Sequence, residues 1–534
     1  MSSTTVNTFE LLRSNFGTYT VDVEHVSQCL IGAERDVQNL EAEIHRLNAA
    51  IIVLQNKQEL LHSRIEQCRS LLAPIRRIPP ELLARIFSFA CSKSEATDKL
   101  DCPAVRLSQV CKGWRELTHT TPSLWSSLSI DLITHDRWDV RLIAMADHHL
   151  ELSRNSPLDV TLKLRYNCDV SLYLFKALSA HSSRLHSLCL YLDDPELLED
   201  PYLLSCRNNL PLLRHLNMRV ICSTFSQKSV DVFKSAPLLE DFTICWHMFN
   251  EHDRQAPPIS LPWSQLTRLK FRWLLTNAAL ENLSLAAQAR HVTFERCRND
   301  DFRDSSDDYP DVVHLHDNLR SLSIIIDIDD PELSVFFNFL TLPSLIHLTI
   351  AGSYDETTDP PSSENFSFTS EQEAIMSFMS RSQCHLTSLS LENLPIQDME
   401  VIAFLQNTPT LTELALYEQE YENTTDAPFF TPHLFDSLSV KYRAPSSTLL
   451  PRLKELDLQY HACSFPTTAF LPMIHSRWIP DVATATEMGV DCLAAVTLRP
   501  FMDEKDEDLG PDLQSLGDLS VAGLRVLVLA QFLD

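Results

Sequence analysis

Residues 266–273 read L-T-R-L-K-F-R-W, and their apolar skeleton, Leu266-x-x-Leu269-x-Phe271, returns along most of the chain. Further copies are Leu185-Leu188-Leu190, Leu213-Leu216-Met218, Leu239-Phe242-Ile244, Leu319-Leu322-Ile324, Leu345-Leu348-Ile350, Leu386-Leu389-Leu391, Leu411-Leu414-Leu416, Leu453-Leu456-Leu458 and Leu524-Leu527-Leu529. Weaker ones stand at Ala289-Val292-Phe294 and Leu493-Val496-Leu498. Apolar residues two apart mark a strand with one buried face, so each copy predicts a short strand. Typical offsets between copies are 23 to 28 residues, room for a strand and a returning helix or loop.

This pattern and period resemble leucine-rich repeats, which implies an α/β solenoid over 131–534 with parallel strands on its concave face. The copies are irregular and lack the asparagine that usually follows the second apolar pair. Wider offsets after Leu345 and Leu453 imply insertions, and two stretches rich in acidic and small polar residues, 299–311 and 353–371, read as acidic loops. The competing reading is an α/β fold of unrelated strands and helices, against which the near-identical strand patterns weigh. Side chains between the repeated leucines face the concave side. In 266–273 these are Arg268, Lys270 and Arg272, and the strand at Leu213 adds His215 and Arg219. Such a basic cluster suits an acidic or phosphorylated segment of a target, or else neutralises the protein's own acidic loops.

Upstream the period changes to seven. Val23, Leu30, Val37, Ile44, Ile51, Gln58, Ile65 and Leu72 recur strictly, with Val26, Ala33, Leu40, Leu47, Leu54, Leu61 and Cys68 three residues after the first seven of them. A strict heptad predicts a coiled coil over 23–73, following a disordered 1–22, because the stripe of an ordinary surface helix would drift. Gly32 places its firm start beyond that point, and Pro74 ends it. Flanking charges are acidic early (Glu34, Asp36, Glu41, Glu43) and basic late (Lys57, Arg64, Arg69). That arrangement favours self-association as an antiparallel pair, a rod roughly 60 Å long. The competing reading packs this helix on the adjoining module or on another protein.

Between them, 78–90 reads I-P-P-E-L-L-A-R-I-F-S-F-A, followed after a polar gap by L-S-Q-V-C-K-G-W-R-E-L (107–117) and T-P-S-L-W (121–125). Pro79 and Pro80 mark a helix start, and Leu82, Leu83, Ile86, Phe87 and Ala90 lie on one face. Leu107, Val110, Cys111, Trp114 and Leu117 repeat the helical spacing, and Thr121-Pro122 opens a third short helix. The three pieces, over 74–130, resemble an F-box, the module that docks on the adaptor subunit of Skp–cullin–F-box ubiquitin ligases. The resemblance implies adaptor contacts through Ile78, Pro79, Leu82, Leu83, Ile86, Phe87, Val110, Cys111, Trp114 and Leu117, and through the adaptor a cullin. The long linker 92–102 departs from the family pattern.

Composition narrows the remaining chemistry. Eight glycines in 534 residues, against an average usage of about 7%, form no phosphate-cradling loop and no G-x-S-x-G elbow. Fourteen cysteines form no C-x-x-C and no zinc spacing, and read as small buried hydrophobes of a reducing compartment, the cytosol or nucleus. No signal sequence or apolar span is evident, so no membrane is expected. Residues 1–130 balance 14 Lys+Arg with 14 Asp+Glu, so the whole net charge of −28 lies in 131–534, which argues against nucleic acid there. Asp327-Ile328-Asp329-Asp330 reads as the polar end of a strand rather than a D-x-D metal site. His148, His149, His181 and His186 read as ordinary histidines, and no metal, cofactor or catalytic residue is expected. The resemblance as a whole implies a non-catalytic substrate receptor whose F-box holds the adaptor while the repeats hold an unknown protein target. The alternative is an adaptor-binding scaffold independent of ubiquitin.

Overall fold

The computed structural model describes residues 13, 23–91, 103–133, 140–166, 168–222, 229–248, 258–298, 314–328, 333–353, 368–418, 429–442, 448–502 and 516–532. The N-terminus 1–22 apart from residue 13, the linker 92–102, the acidic loop 299–311 and most of 353–371 lie outside them. Contacts divide the chain into two units, 1–85 and 86–534.

The first unit is dominated by one helix, α1, Val23–Leu72, 50 residues long with Glu24 in its first turn and Arg69 in its last. At 1.5 Å per residue it spans about 75 Å. The helix runs through Gly32 without a break. An added side chain there would meet nothing within 4 Å, and a single helical glycine costs only about 1 kcal/mol, too little to interrupt so long a periodic segment. The end is as expected: Pro74 opens a short 3-10 turn, Pro74–Arg77. The Arg76 guanidinium fixes that turn by reaching back to the Ser70 carbonyl at 2.6 Å and its hydroxyl at 3.0 Å.

The division between units falls inside the next helix, α2, Pro80–Cys91. In the second unit follow α3, Pro103–Val110, and α4, Lys112–Thr120. The apolar spacing over 107–117 predicts one helix, but Cys111 is fully extended, φ −159° and ψ 171°, and separates two. Side chains stabilise the break. Ser108 donates to the Val105 carbonyl at 2.6 Å, and Arg115 Nε donates to the Ser108 carbonyl at 3.1 Å, filling acceptors that the end of α3 leaves open. The expected third helix is a single 3-10 turn, Pro122–Trp125.

A 15-stranded sheet fills the rest. Fourteen of its strands are β1 Ser127–Asp131, β2 Leu158–Leu164, β3 Leu185–Leu192, β4 His215–Cys222, β5 Asp241–Met248, β6 Arg268–Arg272, β7 His291–Glu295, β8 Ser321–Asp327, β9 His347–Ser353, β10 Ser388–Glu392, β11 Glu413–Tyr417, β12 Glu455–His461, β13 Ala495–Met502 and β14 Arg525–Val528. They lie in sequence order and every neighbouring pair is parallel; Gln531–Phe532 adds a last short strand beside β13. Parallel neighbours need a crossover each time. Helices such as α5, Val140–Leu152, and the later Asp169–Ala180, Thr276–Leu285 and Thr467–Arg477 provide several. The sheet begins at Ser127, inside the stretch assigned to the F-box.

Register explains the repeats. Leu188, Leu216, Phe242, Leu269, Val292, Leu322, Leu348, Leu389, Leu414, Leu456 and Val496 stand side by side across the sheet. None is more than 3% exposed, and full burial of such a side chain contributes about 1.5–3 kcal/mol. They belong to one apolar core running from Leu128 to Leu524. The final copy departs from expectation. Val526 and Val528 occupy the core rows beside Val496 and Leu498, while Leu527 pairs with Thr497 and is 49% exposed. A one-residue slip turns every side chain of a strand to the other face.

Candidate adaptor-docking surface and open sheet face

Two prolines and one turn set the entrance to α2. Pro79 lends its carbonyl to the Leu83 amide at 3.0 Å, the first helical bond. Along this one helix Leu83 and Phe87 are 7% and 1% exposed, whereas Leu82, Ile86 and Phe89 are 55%, 47% and 68% exposed. Positions i, i+4 and i+7 form one stripe, so the outward face of α2 is apolar. Of the other residues expected at the adaptor, Pro79 and Val110 are exposed, and Ile78, Cys111, Trp114 and Leu117 are half-buried. Leu83 and Phe87 therefore serve the interior, Phe87 with its ring edge-on to Trp114 at 4.7 Å. Sequence reasoning missed Phe89, although its spacing from Leu82 and Ile86 carried the signal.

Trp125 closes this helical segment. It is 1% exposed, and its indole N–H donates to the Thr118 carbonyl at 2.8 Å. Its ring meets His148 and His149 of α5 at 5.2 and 5.1 Å. Burial drives the His149 pKa down to about 4, so this ring is neutral at physiological pH.

His215, Arg219, Arg268, Lys270 and Arg272 all lie on the partly exposed face of the sheet, in β4 and β6. Most of them are engaged. Asp241 accepts from Arg268 at 2.6 Å and lies 2.6 Å from His215 Nδ1, and Glu295 holds Lys270 at 2.6 Å and Arg272 at 2.8 Å. Burial raises the Glu295 pKa, but the Lys270 ammonium and Arg272 guanidinium outweigh it and leave the carboxyl below its ordinary value. Arg219 is exposed and has no carboxylate partner among the described residues. Just past β6, Trp273 adopts a left-handed conformation, φ 57°, with the guanidinium groups of Arg296 and Arg298 5.1 and 4.8 Å from its ring centre. Arg298 also pairs with Asp327 at 3.0 Å. Across β4–β8 this face thus carries Arg219, Lys270, Arg272, Arg296 and Arg298 together with Asp241, Glu295 and Asp327. The contribution of Trp273, Arg296 and Arg298 was missed by sequence reasoning, since strand register alone brings them together.

Asp327 is held by Arg298, while Asp329 and Asp330 lie outside the described residues. His186 lies 3.1 Å from Asp159. Among the described residues no three metal-binding side chains gather, and no helix is long and apolar enough to cross a membrane.

Comparison with known families matches an F-box-like domain to residues 75–131, a segment that holds α2, α3, α4 and β1. No curated protein matches the chain. An F-box-like domain points to an adaptor-binding role in Skp–cullin–F-box complexes and thereby to a Skp-type adaptor as partner.

Proposed function

We propose that the protein is the substrate-recognition subunit of a Skp–cullin–F-box ubiquitin ligase, acting in the cytoplasm or nucleus. The observation that carries this reading is the coincidence of the F-box-like match with exposed apolar side chains one helical turn apart on α2, Leu82 and Ile86. Exposed large apolar residues at helical spacing suit a hydrophobic partner surface. The large sheet is, on this reading, an irregular leucine-rich-repeat solenoid, supported by strands in sequence order with the repeated leucines in register. Its open face holds the target. The exposed Arg219 and the lysine and arginines beside it on that face favour an acidic or phosphorylated segment, which arginine forks bind bidentately. No side chain of this chain reacts. Its contribution is effective concentration, holding a target lysine near the conjugating enzyme that the cullin brings. Co-purification tests the reading: the full chain should retain both adaptor and cullin. Adaptor without cullin would favour the ubiquitin-independent scaffold, and neither would refute the F-box role.

A further inference from the structure

The apolar stripe of α1 is exposed along its length. No residue of the helix is buried, and Val37, Leu40, Ile44, Leu47, Ile51 and Leu54 are between 48% and 65% exposed. β-Branched residues at one heptad position and leucine at the other fit a two-stranded coiled coil. We infer that α1 is a dimerisation helix whose occupant is a second copy of this chain, packed antiparallel.

Charge complementarity carries the orientation. In a parallel pair each flanking residue faces the one five further on in the other copy, so Asp36 meets Glu41 and Arg64 meets Arg69. Both contacts repel. In the antiparallel pair with Ile44 layered on the other copy's Leu54, and Ile51 on its Leu47, Asp36 instead faces Arg64 and Glu43 faces Lys57. Twofold symmetry makes each contact twice, and the small Ala50 meets its own copy near the centre. Within one helix the Glu43 carboxylate accepts from Arg46 at 2.8 Å, which holds its pKa below the ordinary value. The F-box-like domain begins three residues after α1 ends. In the dimer the two C-terminal ends of α1 therefore lie at opposite ends of a rod of about 70 Å.

Light scattering on the full chain should give twice the monomer mass of 60.8 kDa. The variant Asp36→Lys/Glu43→Lys turns four attractive contacts into repulsive ones and should weaken self-association about a hundredfold. The variant Lys57→Glu/Arg64→Glu should do the same. Mixed in equal amounts, these two monomeric chains should form a heterodimer, because every flank is then complementary; that recovery also shows both variants to be folded. In a parallel dimer Asp36→Lys faces Glu41 and tightens association. A monomeric wild-type chain, tighter association of either variant, or failure of the mixture to pair would each overturn the inference.

Discussion

Replacing Leu82 and Ile86 together by alanine separates adaptor docking from folding. Both side chains lie on the outer stripe of α2, 55% and 47% exposed. Complete burial of such a side chain contributes about 1.5–3 kcal/mol, so covering the half still open yields about 1 kcal/mol each, or about 2 kcal/mol for the pair. The dissociation constant for the adaptor should rise about thirtyfold. Because the removed atoms face solvent, no cavity forms, and unfolding stability should stay within about 0.5 kcal/mol of the parent. Phe87→Ala is the contrasting control. At 1% exposure it should cost about 3–5 kcal/mol of stability, losing adaptor binding only through damage to the fold. Calorimetric titration with purified adaptor, beside urea unfolding of each variant, reads both quantities. Wild-type affinity in the Leu82/Ile86 double variant would refute the assignment of this stripe, as would a loss of affinity matched by an equal loss of stability.

Other outcomes follow from single groups. His149, with its pKa lowered by burial from 6.5 to about 4, remains neutral in the fold while the unfolded chain takes up a proton, so stability drains away as pH falls from about 6.5 to 4. Between pH 7.5 and 5 the parent should lose about 2 kcal/mol more than His149→Phe, and equal losses in urea titrations would contradict this. Arg219→Glu should leave stability within about 0.5 kcal/mol yet abolish capture of acidic peptides on an array; retained capture would move target recognition elsewhere. Arg477 is fully buried and donates to the carbonyls of Leu438, Leu449 and Leu450. Arg477→Leu strands those acceptors and should cost at least about 3 kcal/mol by chemical unfolding.

The rows of the sheet were legible because strand burial alternates with a period of two, and a leucine at each core position leaves little room for another register. Helix α1 was legible for the analogous reason at a period of seven. Faces of short helices were harder. Leu82, Leu83, Ile86, Phe87 and Phe89 span so much of one helix circumference that apolarity cannot say which side turns inward, and only packing separates Phe87 from Phe89. The break at Cys111 was hidden because each half keeps helical spacing. Least legible was the chemistry of the open face. Arg268 neighbours Asp241, and Arg272 neighbours Glu295, only through register between strands distant in sequence. A basic stretch read from one strand thus looked more available than it is, while along the row of Arg219 the nearest carboxylates, Asp131 and Glu295, stand three strands away on either side.

Trp125 gives this arrangement a mechanical meaning. It belongs to the turn that follows α4, bonds back to Thr118 within that helix, and packs on the α5 histidines, while β1 begins two residues later. No flexible spacer therefore separates α4 from the first strand of the sheet. On the proposed receptor role the chain would act through distance and orientation, and effective concentration falls steeply when a linker lets two ends wander. A buried aromatic joint, held by one hydrogen bond and three rings, keeps the sheet face and α4 in one frame. Rigidity at this joint is the physical property that the proposed role would require, and the loss of stability expected from protonating His149 would fall at the same joint.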